Sequence, residues 1–341
     1  RHSRSATHVR YDPLTVGRVT LALHAQNIGV PFEEVVGFDT MVGGSPTNIA
    51  IGAARLGLRP IAFTGVGDDL VGDFVVRYLR DAGVATDFVV RKPGKRTSVA
   101  MVAVMPPDRF PLSFYREDPA DIYLTVEDAA ALPFAAVPTV LLSGNAFCRG
   151  TCVDAAGAWA AAADGSGVAT FVDVDMRPTE WSEPRAYGEV LRTVLPLVDI
   201  VVGTEEEFYA ALAPEPEAVF AGQSVDDVGH EVLDERLAAL IDEEVVEMIV
   251  LKRGPRGVTL LSAHDRVDVP GFEVETVNTV GAGDAFAAGL VRSRHLGWDW
   301  PRAARFANAC GAIQVTRHGC SASFPAEAEV NAFIDRHGGP S

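Results

Sequence analysis

The segment Val277-Asn278-Thr279-Val280-Gly281-Ala282-Gly283-Asp284 brings together the residue types that phosphoryl transfer needs. Gly281 and Gly283 flank Ala282, Asp284 follows, and a run of small and apolar residues (Ala285, Ala287, Ala288, Leu290, Val291) starts a helix there. Glycines let successive backbone N–H groups turn toward one point, and a helix start adds unpaired donors and a positive dipole end. Such a nest binds an anion, most often phosphate. A carboxylate at its rim can orient a hydroxyl and take its proton, so Gly281, Ala282, Gly283 and Asp284 are the candidate catalytic residues. Taken alone, so short a motif is more commonly a glycine-rich turn capped by aspartate. A dinucleotide turn is disfavoured, because Phe286 stands where Gly-x-Gly-x-x-Gly needs its third glycine.

The elements that must hold this site belong to an ordinary globular chain. With 48% hydrophobic and 22% charged residues, the 341-residue sequence can bury one large core or two modest ones. Lys+Arg 29 against Asp+Glu 46 gives −17, which argues against nucleic acid or an anionic membrane as partner. No apolar run approaches a membrane span and no signal-peptide core is present, so a cytoplasmic protein is expected. Cys148, Cys152, Cys310 and Cys320 fit neither a zinc spacing nor a disulfide framework and read as buried, reduced thiols. The histidines include no His-x-x-x-His pair, so imidazoles build no metal site.

Short apolar runs predict strands at Ile61–Gly65, Thr139–Leu142, Val168–Val172, Ile200–Val202 and Met248–Leu251. Periodic stretches at Leu70–Ala82, Thr151–Ala163 and Pro184–Leu195 predict helices between them. Alternation of the two with uniformly apolar strands implies a parallel sheet covered on both faces. A further helix is signposted by Ser45 as its cap, Pro46 at its first position and Gly57 at its end. Two regions, Val19–Val42 and Asp87–Tyr115, carry β-like runs without a helix, the second turning around Pro106-Pro107-Asp108. They read as a small sheet beside the core, a lid, or as extra edge strands of the main sheet. Pro214–Glu231 reads as an acidic loop.

Four separated segments resemble the ribokinase-like (PfkB) carbohydrate kinases: Gly43–Ala50, Gly203–Phe208, Lys252–Gly257 and Val277–Asp284. The resemblance implies a three-layer α/β fold with a mostly parallel central sheet and a small β lid. The kinase domain would span 10–335, with lid excursions near 19–42 and 87–116, and residues 1–9 would be a disordered extension. It implies ATP as donor, Mg²⁺, a sugar or sugar-acid hydroxyl as acceptor, and a homodimer through the lid. Gly43, Gly44 and Asn48 would bind the sugar; Lys252, Gly254, Gly257 and Asn308 would bind ATP. Glu206 would organise Mg²⁺ through water. The carbonyl of Val280 with Gly319 and Ser323 would form a site for K⁺.

Further segments resemble the inositol-catabolism branch, which phosphorylates 5-dehydro-2-deoxygluconate: Pro107–Pro111, Phe114–Glu117, Ala120-Asp121 and Asp173–Pro178. By that resemblance Arg116 and Arg177 would clamp the substrate carboxylate, a task suited to planar guanidinium donors. Asn278 and Gly203 depart from the wider family's aspartate and asparagine in a way this branch shares, and Asn278 weakens the expectation of K⁺ activation. Ala22 stands where sugar kinases usually place a hydroxyl-binding aspartate. Kinases of 2-keto-3-deoxygluconate, ribose or fructose, and a sugar-binding regulator without turnover, are the alternatives.

Overall fold

A computed structural model describes residues 11–105, 109, 111–181 and 183–338. Its strands are β1 (Leu14–Val16), β2 (Thr20–Ala25), β3 (Phe38–Gly43), β4 (Ile61–Gly67), β5 (Val89–Lys92), β6 (Ser98–Val102) and β7 (Leu112–Tyr115). Then follow β8 (Thr139–Ser143), β9 (Ala169–Asp173), β10 (Ile200–Thr204), β11 (Met248–Lys252), β12 (Val258–Leu261) and β13 (Arg266–Val269). Nine of them form one sheet in the order β13-β12-β11-β10-β9-β8-β1-β4-β5. From β11 to β5 every pairing is parallel, and the β12–β13 hairpin closes one edge antiparallel.

Successive side chains of the central strands point to opposite faces, and each face has its own core. Leu142, Val172, Val201 and Ile249 join helices Thr151–Asp164, Pro184–Val194, Glu205–Leu212 and Glu231–Asp242. Leu141, Phe171, Val202 and Val250 join helices Ala282–His295, Trp300–Val315 and Glu327–Arg336. Each large side chain buried this way contributes on the order of 1.5–3 kcal/mol. Burial on both faces is why these strands read as continuous apolar runs.

The two β-like regions resolve into both of their readings. β2, β3, β6 and β7 form a separate four-stranded sheet in the order β3-β2-β6-β7, whereas β5 pairs with β4 at the edge of the main sheet. The turn at Pro106–Asp108 and Phe110 lies outside the described residues, as do residues 1–10. Pro214–Glu231 is not wholly a loop: it carries short helices Glu217–Phe220 and Val225–Val228, the latter closed by a Ser224/Asp227 capping box. The four cysteines are free and buried. No helix among the described residues is long and apolar enough to cross a membrane.

Candidate active site

In an open parallel sheet, ligand sites gather at the carboxyl ends of the strands. Ser143, Asp173, Thr204 and Lys252 are the last residues of β8 to β11, and Gly17-Arg18 follows β1. The Ala282–His295 helix starts beside this edge. Its cap, Gly281, has φ 79°, and a Cβ there would lie 2.8 Å from Cys320 Sγ and 3.0 Å from the Phe324 ring. Only glycine therefore fits. The N–H of Ala282 donates to Thr279 O at 3.2 Å. Those of Gly283 and Asp284 precede any helical acceptor and have no partner among the described residues, leaving them free for an anion.

Asp284 is held at both oxygens: Ser45 Oγ donates to Oδ1 and Asn48 Nδ2 to Oδ2, each at 2.7 Å. Ser45 is thus not the helix cap expected from sequence. Gly44 occupies the cap position of the Ser45–Arg55 helix, and the serine hydroxyl serves the carboxylate instead. Burial and the neighbouring Asp175 carboxylate raise the Asp284 pKa, while the hydrogen bonds from Asn48 and Ser45 pull it down. The net upward direction makes it a stronger base than an ordinary aspartate.

Lys252 Nζ stands 3.5 Å from Asp173 Oδ1 and 3.7 Å from Glu207 Oε2, and a Cβ on Gly283 would lie 3.4 Å from the ammonium. The lysine therefore adjoins the anion nest. Asp173 is buried, and its carboxyl is pushed up to about 7, by burial above all, although Lys252 opposes the shift. Asp173 and Glu207 were not singled out from sequence. The three glutamates opening the Glu205–Leu212 helix separate by partner. Glu205 pairs with Arg253 at 3.3 Å and with Arg256, Glu207 completes a capping box with Thr204, and Glu206 alone has no partner among the described residues. No group of three or more His, Cys, Asp or Glu among the described residues could hold a metal ion by itself.

A second group of polar side chains lies toward β1, β8 and the small sheet. Asp175, at φ 42°, accepts from Ser143 Oγ at 2.8 Å and holds Arg177 Nη2 at 2.8 Å. Arg177 also donates Nη1 to Met176 O, and its side chain keeps 40% exposure to the cleft. Arg116 is different. Its side chain is 3% exposed, with Nη1 2.8 Å from Asp121 and Nε 3.2 Å from Glu180. Expected from sequence at a substrate carboxylate, Arg116 turns Nη1 and Nε to these internal carboxylates. Gly43 and Gly44 pack on the chain rather than on open space. A Cβ on Gly44, at φ 101°, would meet Arg18 O at 2.4 Å, and one on Gly43 would lie 3.2 Å from the buried Ala22 methyl.

Gly254 and Gly257 bound the turn from β11 to β12, closed by Gly257 N donating to Gly254 O at 3.0 Å. Gly257 abuts the backbone of residues 269–271, to which Asn308 Nδ2 donates at Val269 O and Pro270 O. The three residues expected at the nucleotide thus share one locus beyond Lys252. Val280, Gly319 and Ser323 also come together, around Gln314. Its Nε2 donates to Val280 O at 3.2 Å and to Gly319 O at 3.1 Å, and its Oε1 accepts from Ser323 Oγ at 3.0 Å. Asn278 adds a bond to Gly319 O. The Val280 and Gly319 carbonyls expected to hold K⁺ thus accept from side-chain amides.

An anion nest, a fixed carboxylate base and an adjoining ammonium suit transfer of a phosphoryl group from a bound donor to a hydroxyl. The class is a phosphotransferase. Residues 19–327 match the family model of pfkB family carbohydrate kinases, and the chain belongs to that family. It is 31% identical over 328 residues to the 5-dehydro-2-deoxygluconokinase of Geobacillus kaustophilus, covering 96% of this chain and 94% of that one. An E. coli structure assigned as a ribokinase II, in complex with ATP and Mg²⁺, superposes with TM-score 0.80 at 26% identity, covering 95% of this chain and 99% of that one. Fructokinase from Vibrio cholerae, bound to fructose, ADP and calcium, gives TM-score 0.77 at 25% identity over 94% and 98%. The chain is an ATP-dependent carbohydrate kinase with the ribokinase-like fold.

Proposed function

We propose that the acceptor is a short sugar acid, 5-dehydro-2-deoxygluconate by similarity to the named relatives, phosphorylated on a primary hydroxyl. The observation that carries this reading is Arg177. A guanidinium held by Asp175 and the Met176 carbonyl, 40% exposed and within electrostatic reach of Asp284, offers planar donors to a carboxylate. ATP, when bound, supplies the phosphoryl group, and Mg²⁺ on its phosphate oxygens offsets their charge, with Glu206 reaching it through water.

Asp284 orients the acceptor hydroxyl and takes its proton late, as the new O–P bond forms and the bond from the γ-phosphorus to the β–γ bridging oxygen breaks to release ADP. The Ser45 and Asn48 bonds fix both carboxylate oxygens, so little reorganisation is needed. The N–H groups of Gly283 and Asp284, with Lys252 beside them, stabilise charge on the transferred group. The small sheet closes over the acceptor and excludes water.

A neutral-sugar reading is favoured by the likeness to a fructose-bound fructokinase. A panel of sugar acids and neutral sugars separates the two, with Arg177→Ala as the probe. The expected result is a preference for sugar acids, with the variant raising their KM about ten- to a hundredfold while KM for ATP changes little. Arg177→Lys should recover only part of the loss. A parent enzyme preferring a neutral sugar over every sugar acid would overturn the substrate assignment.

A further inference from the structure

Arg18 follows β1, between the main sheet and the small sheet. It is 5% exposed, and its Nε and Nη1 are buried with no hydrogen-bond partner among the described residues. A buried guanidinium without acceptors is strongly unfavourable, so such an arrangement is kept where something else supplies them. The charged groups facing it are Asp175, Glu180, Arg116 and Arg177. No carboxylate among the described residues accepts from Arg18 Nε or Nη1. Neither carboxylate is free to answer it. Asp175 is engaged by Ser143 and Arg177, and Glu180 by Arg116 and, at 3.3 Å, by Arg149.

The surroundings mark this as the acceptor end of the cleft. The Phe114 ring, from β7 of the small sheet, lies 5.7 Å from the Arg18 guanidinium carbon. The backbone carbonyl of Arg18 packs on Gly44, at the start of the helix whose Ser45 and Asn48 hold Asp284. Asn145, just beyond β8, is 1% exposed, and neither Oδ1 nor Nδ2 has a partner among the described residues. Its strand end adjoins that of β1, since a Cβ on Gly17 would touch Ser143 and Ala146 at 3.2 and 3.1 Å. Unanswered donors and acceptors of Arg18 and Asn145 therefore lie on adjoining strand ends.

We propose that Arg18 is a specificity-determining anchor for the carboxylate of the acceptor, forming a clamp with Arg177 while Arg116 is engaged by Asp121 and Glu180. This rests on the sugar-acid reading above. A carboxylate brings planar acceptor lone pairs, which Arg18 Nε and Nη1 lack.

The test uses Arg18→Met, Arg18→Gln and Arg18→Lys in the full chain, with 5-dehydro-2-deoxygluconate, neutral sugars and ATP titrated separately. The expected result is a sugar-acid KM raised about ten- to a hundredfold in the Met and Gln variants, partial recovery in Lys and an unchanged KM for ATP. The ligand-free melting temperature should hold or rise, because the substitutions remove an unpaired buried cation. Sugar-acid kinetics like the parent's would overturn the role of Arg18 while leaving the substrate reading intact. A melting temperature lowered by several degrees in both Met and Gln, with KM for every substrate affected alike, would make Arg18 structural and also overturn it. A parent active only on neutral sugars would overturn the substrate reading, and the anchor with it.

Discussion

Asn48 and Asp284 are 236 residues apart in sequence, yet Asn48 Nδ2 donates to Asp284 Oδ2 at 2.7 Å. With Ser45 on the other oxygen, the starts of two helices meet head to head around one carboxylate. The apolar seam behind them, where Gly52 packs on Ala288 and the Phe324 ring, sets that meeting. Catalytic geometry therefore rests on helix packing and not on loop flexibility.

Asp284→Asn should lower kcat by at least about two orders of magnitude while ATP affinity changes little, since the amide keeps the shape but cannot take a proton. Single-turnover rates and nucleotide titration check both halves. Asn48→Ala should cost less, because Ser45 still holds one oxygen. A near-normal kcat in the Asp284→Asn variant would remove Asp284 from the chemistry.

Asp173 gives a pH signature. Its carboxyl, normally near 3.8, is pushed up to about 7 in the folded chain by burial. Between those values the folded chain keeps a proton that the unfolded chain has lost. The stabilisation is present below the ordinary value and is lost as pH rises through about 7. The melting-temperature difference, parent minus Asp173→Asn, should thus fall, toward negative values, from about pH 4 to about pH 7 and then level off. A difference that grows with pH would instead show an ionised Asp173 paired with Lys252.

Arg116 is predicted to matter for stability first. Arg116→Ala leaves Asp121 buried without its ion-pair partner and Glu180 with Arg149 alone, at a cost of about 3–5 kcal/mol. Chemical denaturation should show that loss, and KM for sugar acid and ATP should change together or not at all. A stable variant with only sugar-acid KM raised would restore Arg116 to the carboxylate clamp.

The sequence was legible where one local signal sufficed. Apolar runs located five parallel strands but, at β8 to β11, stopped short of Ser143, Asp173, Thr204 and Lys252, because function places polar residues at those strand ends. Strand β1 is central yet three residues long, too short for a period to show, and the β12–β13 hairpin lacked a recognised turn. The nest at 281–284 could be read because its parts are contiguous. The partners of Ser45, Arg116 and Gln314 lie elsewhere along the chain, so spacing alone could not assign them.

The last prediction concerns monovalent ions. Gln314 is fully buried and donates from its amide nitrogen to the carbonyls of Val280 and Gly319, while Ser323 donates to its oxygen. Asn278, also buried, accepts from Val280 N and donates to Gly319 O. These amides do for the loop behind Gly281 what a bound cation would otherwise do: they hold carbonyl oxygens of adjacent segments in register. Equal rates are therefore expected in K⁺ and in tetramethylammonium at matched ionic strength. Gln314→Ala would take a donor from each of two carbonyls, a loss of roughly 1–3 kcal/mol for each one left unanswered. That variant should be slower and should respond to K⁺, because a cation could then enter the space the amide vacates. A large K⁺-specific rise in the parent rate would show that the ion competes successfully with Gln314 and would sink the idea that the amide replaces it.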